Sequence, residues 1–378
     1  MSIQSLPPFT TGAGAAQFLD RARLALRGAR RGCIAGPLYD GAFFVFAPLL
    51  ALLAAWGLEA PAFSERVTVL DARMSWAALV GMTMTQGHLL VTVARSHLNQ
   101  AVLRRHPVRL LVAPLLLFGL VTWSEWAFAS AFVLMIFWDV YHSSLQTFGL
   151  GRIYDAKAGN DPEVGRRLDI VMNLVLYAGP VLAGVKLMDH ADAFDEFEGL
   201  SDLQLGGWVL PSDSMAAVTG HVADHALLIR GLVVFVGVLF TVLYLKRYRE
   251  LRREGYVLPW PKACLMMSTA AVSLAAWGFD SFGSAFLIMN LFHAVQYFAL
   301  VWWTERDALG QLFGVGSGTG SRALLLLGFL ALPLAGGLYL YAADGHAVRT
   351  VLMVCALTHF WFDSFIWSVR KQQHLQVS

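Results

Sequence analysis

Residues 323 to 342 read ALLLLGFLALPLAGGLYLYA, and this run contains no charged side chain. An α-helix rises about 1.5 Å per residue, so about 20 apolar residues cross the hydrocarbon core of a bilayer. Residues 231 to 245, GLVVFVGVLFTVLYL, form a second run of this kind, which ends at the basic residues Lys246 and Arg247. These two stretches predict helices that span a membrane.

The whole chain has the composition of a membrane protein. Of its 378 residues 57% are hydrophobic and only 14% are charged, whereas about 25% of the residues of soluble domains are charged. The 28 basic and 26 acidic residues leave a formal charge of +2, which argues against a nucleic acid as partner. The cysteines are widely spaced, so they predict neither a CxxC metal site nor a disulfide framework.

Apolar runs bounded by charged residues, proline or glycine predict an all-α, polytopic helical bundle with about ten transmembrane helices. The predicted spans are residues 39 to 57, 75 to 95, 107 to 125, 127 to 150, 168 to 188, 227 to 245, 260 to 279, 281 to 303, 322 to 342 and 347 to 369.

Basic residues in the loops predict the orientation of these spans, because such loops are retained in the cytoplasm. Lys and Arg occur in alternate loops, and the stretch from 189 to 226 is acidic without any Lys or Arg. We therefore expect a cytoplasmic N-terminal segment (1 to 38), a transmembrane domain (39 to 369) with an acidic outer loop (about 189 to 226), and a cytoplasmic tail (370 to 378). The expected location is a bacterial inner membrane.

Polar side chains interrupt four of the predicted spans. Ionisable residues inside a membrane are costly, by about 2.5–3.5 kcal/mol on insertion scales, and therefore tend to mark function. Within each helix these residues lie three or four positions apart, so they share one face. They are His88 in the second span; Asp139, His142 and Gln146 in the fourth; Asn290, His293 and Gln296 in the eighth; and His359 and Asp363 in the tenth.

The four histidines are also predicted to lie at one depth. His88 precedes Arg95 by seven positions, and His359 precedes Arg370 by eleven. At about 1.5 Å per residue, the four imidazoles lie roughly 10–18 Å from the cytoplasmic edge. All four helices are expected to run in the same direction, so the histidines can converge on one centre.

Several buried imidazoles with a few carboxylates are typical of a metal site. Neutral imidazole binds iron, copper or zinc, and a carboxylate either ligates the ion or accepts the other ring N–H. We predict His88, His142, His293 and His359 as metal ligands, with Asp139 and Asp363 as ligands or as partners that orient them. Gln146 and Gln296 are predicted to direct a bound water or oxygen species. Four histidines and two aspartates suffice for a dinuclear centre.

Three peptides carry a resemblance to known proteins: WDVYHSSLQTFGLGRIY at 138 to 154, NLFHAVQYFALVWW at 290 to 303, and HFWFDSFIWSVRK at 359 to 371. They resemble segments of uncharacterised bacterial polytopic membrane proteins. In logic they are also similar to the membrane di-iron oxygenases, which include fatty acid desaturases and alkane hydroxylases. In those enzymes histidines at a membrane face hold iron that activates dioxygen, so the resemblance implies iron and a ligand role for the four histidines.

The sequence thus favours a membrane metalloenzyme, iron-dependent, that oxidises or otherwise modifies a lipid-like or isoprenoid substrate. Its expected partners are membrane lipids, a hydrophobic small molecule and an electron-donor protein. Three alternatives remain open: haem bound by histidine axial ligands, a proton-coupled transporter in which Asp139, Asp363 and the histidines titrate, and an assembly protein whose histidines only link helices.

Overall fold

The computed structural model describes residues 32–316 and 318–367. Most of the predicted N-terminal segment, the end of the tenth predicted span and the predicted tail from 370 to 378 lie outside the described residues. Helices make up 80% of the structure. The described chain also contains two short hairpins, in which β1 (Val67–Val69) pairs with β2 (Ala72–Met74) and β3 (Leu203–Leu205) pairs with β4 (Trp208–Leu210).

The α-helices follow one another along the chain, joined by short loops. They are α1 (Pro37–Asp40), α2 (Ala47–Leu58), α3 (Trp76–Ser96), α4 (Gln100–Arg105), α5 (Ala113–Trp123), α6 (Glu125–Lys157), α7 (Arg166–Ala183), α8 (Leu187–Ala191), α9 (Ser212–Ala216), α10 (Val218–Arg253), α11 (Trp260–Phe279), α12 (Phe282–Leu312), α13 (Thr319–Ala342) and α14 (His346–Ile366). Two π-helical segments, Gly41–Val45 and Val108–Val112, and two 3₁₀ segments, Pro61–Phe63 and Asp192–Phe197, complete the set.

Six described helical segments are long and apolar enough to cross a membrane, and the number rises to eight if two bent pairs each count as one span. The bent pairs are Pro37–Val45 with Ala47–Leu58, at 55°, and Arg166–Ala183 with Leu187–Phe197, at 96°. The structure therefore supports an all-α integral membrane protein with fewer than the ten spans predicted.

The two spans that fall short do so for different reasons. Val108–Trp123 is helical but shorter than a bilayer requires. Helix α14 is 21 residues long but is not among the spanning candidates, because polar residues such as His359 and Asp363 lower its hydropathy. A histidine and an aspartate on one helix face thus weaken the signal by which a transmembrane helix is recognised.

Helix α12 is the central helix of the bundle. Of its most apolar window 83% is buried inside the protein, whereas none of the corresponding window of Ser212–Arg253 is buried. Three of the four helices that carry the predicted ligands, α3, α6 and α12, begin at a serine whose side chain accepts a hydrogen bond from the backbone: Ser75, Ser124 and Ser281. Such caps satisfy amide groups that a helix start leaves unpaired.

The four helices that carry the predicted site, α3, α6, α12 and α14, run parallel. Between α3 and α12, the side-chain contacts advance together from His88 with His293 to Arg95 with Glu305. Between α3 and α14 the contacts advance from His88 with His359 to Arg95 with Trp367. Between α6 and α12 they advance from His142 with His293 to Gln146 with Gln296. The parallel arrangement agrees with the common direction expected from the loop charges.

A glycine contact brings α3 and α13 close together. A Cβ atom at Gly337 would lie 2.4 Å from the backbone nitrogen of Gly87 and 2.7 Å from the carbonyl oxygen of Thr83. Any larger side chain there must therefore push the two helices apart. Small residues allow membrane helices to approach closely, and this contact fixes the part of α3 that carries the neighbouring His88.

A buried ionic network joins α6, α7 and α11. The ammonium group of Lys262 lies 2.7 Å from both Asp155 and Asp169, and Arg152 donates to the same two carboxylates. Tyr256 donates to Asp155, and burial together with this hydrogen bond raises the pKa of Tyr256 well above its usual range. The sequence predicts that Arg152 lies in a cytoplasmic loop, whereas in the structure the residue is buried inside the fold and only 4% exposed. Helix α6 reaches Lys157, beyond the predicted end at 150.

Candidate metal centre

The structure brings the four predicted histidine ligands together. The ring of His88 lies 4.9 Å from the rings of both His293 and His359, between ring centroids. The ring of His142 lies 5.1 Å from His293 and 4.7 Å from His359. All four side chains are buried, with exposures between 1% and 5%. Four imidazoles from four helices therefore surround one small volume.

Two of these rings point ring nitrogens at each other. The Nε2 atoms of His142 and His359 are 3.1 Å apart. Two nitrogens at about 2.0–2.1 Å from one metal ion, at 90–110°, are separated by roughly 2.8–3.4 Å. The observed distance therefore suits adjacent ligands of one ion. Asp363 Oδ2 lies 3.8 Å from His142 Nε2 and 3.9 Å from His359 Nε2, which places a carboxylate beside the pair.

A chain of hydrogen bonds orients His359. Its Nδ1 lies 2.6 Å from Thr92 Oγ1. The Thr92 hydroxyl donates to the Tyr297 hydroxyl at 3.1 Å, and Tyr297 donates to Asp363 Oδ1 at 2.8 Å. Because the Thr92 hydroxyl already donates its hydrogen to Tyr297, its oxygen accepts a hydrogen bond from Nδ1–H of His359. This assigns the proton to Nδ1 and leaves the Nε2 lone pair free to bind a cation.

The other two histidines form no hydrogen bond to another described helix. Both ring nitrogens of His293 are buried and unpaired, and the hydrogen-bonding contact of His88 is with the backbone of Thr85, one turn earlier on its own helix. Leaving a buried donor or acceptor unpaired costs about 1–3 kcal/mol, so such groups usually have a function. Ligand atoms of His88, His293 and His359 lie within 4.8 Å of one another, as do those of His142, His359 and Asp363. His359 is common to both groups.

The predicted amide residues donate hydrogen bonds to backbone carbonyls or to each other. Gln146 Nε2 donates to Gln296 Oε1 at 2.9 Å and to the carbonyl of His293 at 3.0 Å. Gln296 Nε2 donates to the carbonyl of Phe44, which lies in the π-helical segment. Asn290 donates to the carbonyl of Phe286 on its own helix. In the described structure Gln146 and Gln296 thus join α6, α12 and the first bent helix.

Asp139 lies apart from the two ligand groups. It forms a hydrogen bond with Asn290, one turn before His293, and it is not among the residues whose ligand atoms cluster. The structure therefore places Asp139 beside the centre rather than in it, whereas Asp363 adjoins two of the imidazoles.

Thr92, Tyr297, the Arg95–Glu305 ion pair and His190 also belong to this region, although they are not among the predicted site residues. Thr92 follows His88 by four positions, and Tyr297 follows His293 by four, so both lie on the ligand face of their helices. That spacing was the available signal. His190 has no such signal, because only the 96° bend after α7 brings it back towards α6 and α12.

Two cavities flank the histidines. The first, of about 100 Å³, is lined by residues that precede the histidines along the parallel helices, among them Thr85, Asp139 and Asn290, and it touches His88. The second, of about 200 Å³, is lined mainly by residues that follow the histidines, among them Gln146, Tyr297 and Trp367, and it touches His142 and Asp363. We call them the N-side cavity and the C-side cavity.

Comparison with known proteins finds no match among protein-family models, curated proteins or solved structures. What the chain can do is therefore argued from the residues of the site itself.

Proposed function

We propose that the protein is an integral membrane metalloenzyme, dependent on iron, that oxidises or otherwise modifies a lipid-like or isoprenoid substrate. The observation that carries the proposal is the convergence of four buried imidazoles, two of which form no hydrogen bond to another described helix, around a volume that also adjoins Asp363. Interhelical hydrogen bonding alone does not explain this arrangement, because the side chains of His88 and His293 form no hydrogen bond to another described helix.

The donor set favours iron. Two histidines and one carboxylate with open positions are the ligands of non-haem iron oxygenases, and His142, His359 and Asp363 form a group of that composition. His88 and His293 stand close enough to complete the coordination of this ion or to hold a second one. Since only Nε2 of His359 is free, His359 ligates a single ion.

A haem is the less favoured cofactor. Bis-histidine ligation places the macrocycle between two imidazoles, whereas here each ring has two others at 4.7–5.1 Å between centroids. A planar macrocycle does not fit among rings so close together. A carboxylate beside the imidazoles also suits a harder metal ion.

The residues of the chain have separable tasks in this proposal. When bound, non-haem iron supplies dioxygen chemistry. Thr92 holds the His359 ring in one tautomer, and Tyr297 holds Asp363 so that Oδ2 remains available to a cation. Oxidation of carbon by dioxygen takes up electrons and protons and releases water, so an electron-donor protein belongs to the proposal.

The C-side cavity is the proposed substrate site. Most of its lining is apolar or aromatic, and three of its polar residues, His142, Asp363 and Tyr297, lie at the proposed metal centre. Gln146 and Ser364 are polar lining residues as well. Tyr141, at its edge, is 45% exposed on a helix that would face lipid. An acyl or isoprenoid chain can therefore enter laterally from the bilayer, and the absence of a large soluble domain among the described residues fits a lipid-soluble substrate.

The proposed setting is a bacterial inner membrane with cytoplasmic termini. If Val108–Trp123 and α14 also cross the bilayer, the spans number ten, and an even number returns both termini to one side. The loop charges favour the cytoplasm for that side. Cysteine scanning with impermeant thiol reagents in whole cells and inverted vesicles tests this topology.

Metal analysis is the direct test of the proposed function. The purified protein, reconstituted with ferrous iron, is expected to retain stoichiometric iron, and alanine variants of His88, His142, His293 and His359 are each expected to lose it. His97→Ala is the matched control, because His97 lies next to α3 but its two ring nitrogens already contact Ser96 and the Leu110 carbonyl. Full metal content in all four variants, with loss of thermal stability alone, would refute a common metal site.

One observation favours a proton-coupled transporter as a second candidate. Cavities lie on both sides of the buried centre, and Gln296 contacts the helix pair that is bent by 55°; discontinuous helices near the midplane are typical of transporters. Proteoliposomes separate the candidates. Solute uptake that depends on a pH gradient and persists without metal favours the transporter over the enzyme.

A further inference from the structure

The N-side cavity differs from the C-side cavity in chemistry. Its volume of about 100 Å³ lies between α3, α6, α12 and α14, closed in part by α11 and by His190. Apart from apolar residues it is lined by Thr85, Gln86, His88, Asp139 and Asn290. A hydrophobic chain would pair poorly with this set, because polar groups that lose water without a new partner destabilise a complex.

Polar atoms of two buried residues that line this cavity have no partner among the described residues. They are Thr85 Oγ1 and Trp277 Nε1. The two residues are only 7% and 1% exposed. The Trp277 side chain can only donate a hydrogen bond, the Thr85 hydroxyl can donate and accept one, and the Asp139 carboxylate accepts. A ligand of this cavity must therefore be both a donor and an acceptor of hydrogen bonds.

The size of the cavity restricts that ligand. A water molecule takes about 30 Å³ in the liquid, and buried water needs two to four polar partners. The volume of about 100 Å³ therefore corresponds to roughly three water molecules. Phe282, Phe286 and Phe360 line the rest of the cavity, so its volume suits a few water molecules.

His190 stands at the end of this cavity away from the other histidines. Its Nδ1 lies 2.8 Å from the carbonyl oxygen of Lys186, which fixes the ring. The ring packs edge-on against Trp277 and Phe282 at 5.4 Å and 5.6 Å. On the helices themselves, Phe282 and Phe286 precede Asn290, which precedes His293. The cavity thus extends from the helix-loop boundary at His190 to the ring of His88.

We propose that the N-side cavity binds a short chain of ordered water molecules and carries water and protons between the His190 end and the metal centre. The hydrophobic substrate then uses the C-side cavity, and Phe360, which lines both, separates the two. The purpose of this route rests on the proposed function, because dioxygen-dependent oxidation takes up protons and releases water. Water binding itself depends only on the cavity.

Hydroxyl-radical footprinting tests the hydration directly, in metal-free and in iron-loaded protein. Radicals formed from bound water label adjacent side chains, so Trp277 is expected to be labelled although it is 1% exposed. Ala356→Leu adds bulk to the lining of the N-side cavity and is expected to reduce that labelling severalfold. Gly149→Leu is the matched control. It adds similar bulk to the C-side cavity, where a Cβ at Gly149 would meet no atom within 4 Å, and it should leave the labelling of Trp277 unchanged.

A second measurement does not depend on filling the cavity. Thr85→Val removes a hydroxyl that water would pair, whereas Thr269→Val removes a hydroxyl that is buried and unpaired elsewhere. With water present, Thr85→Val lowers the Tm and Thr269→Val does not. If Trp277 stays unlabelled in the wild type, or if Thr85→Val raises the Tm as Thr269→Val does, the cavity is dry and the proposal is wrong.

The result is distinguishable from that for the metal. Labelling of Trp277 in protein that binds no iron supports the water site and refutes the proposed enzyme. Iron binding together with an unlabelled Trp277 supports the proposed metal centre and refutes the water site.

Discussion

Thr92→Val perturbs the centre without removing any proposed ligand. Valine has nearly the shape of threonine, so the packing of α3 is retained, but the hydroxyl that accepts from His359 Nδ1 at 2.6 Å is lost. Tyr297 keeps its bond to Asp363 at 2.8 Å. The substitution therefore leaves one buried imidazole N–H unpaired and frees the His359 ring to rotate or to change tautomer.

The size of the effect follows from that single lost bond. Removing a partner that orients a metal-ligating histidine typically costs about 10–100-fold in metal affinity or activity, which corresponds to roughly 1.4–2.7 kcal/mol. The unpaired N–H is expected to lower the free energy of unfolding of the metal-free protein by about 1–3 kcal/mol. The loss of metal affinity comes in addition, because it concerns the orientation of the ligand.

Competition with a metal-responsive chelator dye measures the affinity of Thr92→Val for ferrous iron. Thr269→Val serves as control, since Thr269 is buried but its hydroxyl has no partner among the described residues. An affinity within about twofold of the wild type, well short of the effect usual for such partners, would refute the orienting role of Thr92. An equal loss in the control would attribute the effect to general destabilisation.

Three further outcomes are expected. Asp363→Asn keeps its size but loses its charge, so the iron affinity should fall more than in Thr92→Val, as read by the same competition assay. Lys262→Met leaves Asp155 and Asp169 buried with only Arg152 for charge compensation, and breaking such a network costs about 3–5 kcal/mol, which a large fall in Tm would show. Gly149→Leu narrows the C-side cavity, so with an isoprenoid or acyl lipid as substrate KM should rise while iron content stays unchanged.

The sequence predicts the centre because membrane helices seldom carry ionisable residues. His142 and His359 are ionisable residues within apolar stretches. Asp139 lies three positions before His142, and Asp363 lies four positions after His359, so each aspartate shares a helix face with a histidine. Directions of the helices, inferred from loop charge, then bring those faces together. Convergence of the four histidines was therefore within reach of pattern and polarity alone.

Other parts of the site could not be predicted in this way. The four-residue spacing places Thr92 and Tyr297 on the ligand face, but threonine and tyrosine are ordinary residues of membrane helices. Only the distances to His359 and Asp363 distinguish them from packing residues. The ionic network was missed because Arg152 was predicted to lie in a basic loop and Lys262 stands at the start of a predicted span. Only the folded chain shows that both are buried against Asp155.

The predicted spans differ from the observed helices where the chain bends or where a helix is short. The 55° and 96° bends and the short Val108–Trp123 helix leave apolar composition intact, so hydropathy alone does not reveal them. Gly184 shows the physical cause at one bend: a Cβ there would lie 2.4 Å from the Pro180 carbonyl oxygen and 2.6 Å from that of Trp277. Only glycine permits the approach, and composition does not distinguish this glycine from others.

Some polar residues link helices and others surround the candidate metal centre, and the properties of the bilayer explain this difference. Helices in lipid gain little from hydrophobic association and depend on close packing and interhelical hydrogen bonds, while a metal site must hold its ligands to within about 0.5 Å. Cross-links therefore have to flank the ligands. They do so on the far side of His293, where Gln146 reaches Gln296 and Arg95 pairs with Glu305. An amide or ion pair beside a buried centre is thus expected to hold the helices in register, so that the imidazoles and Asp363 are left to the chemistry.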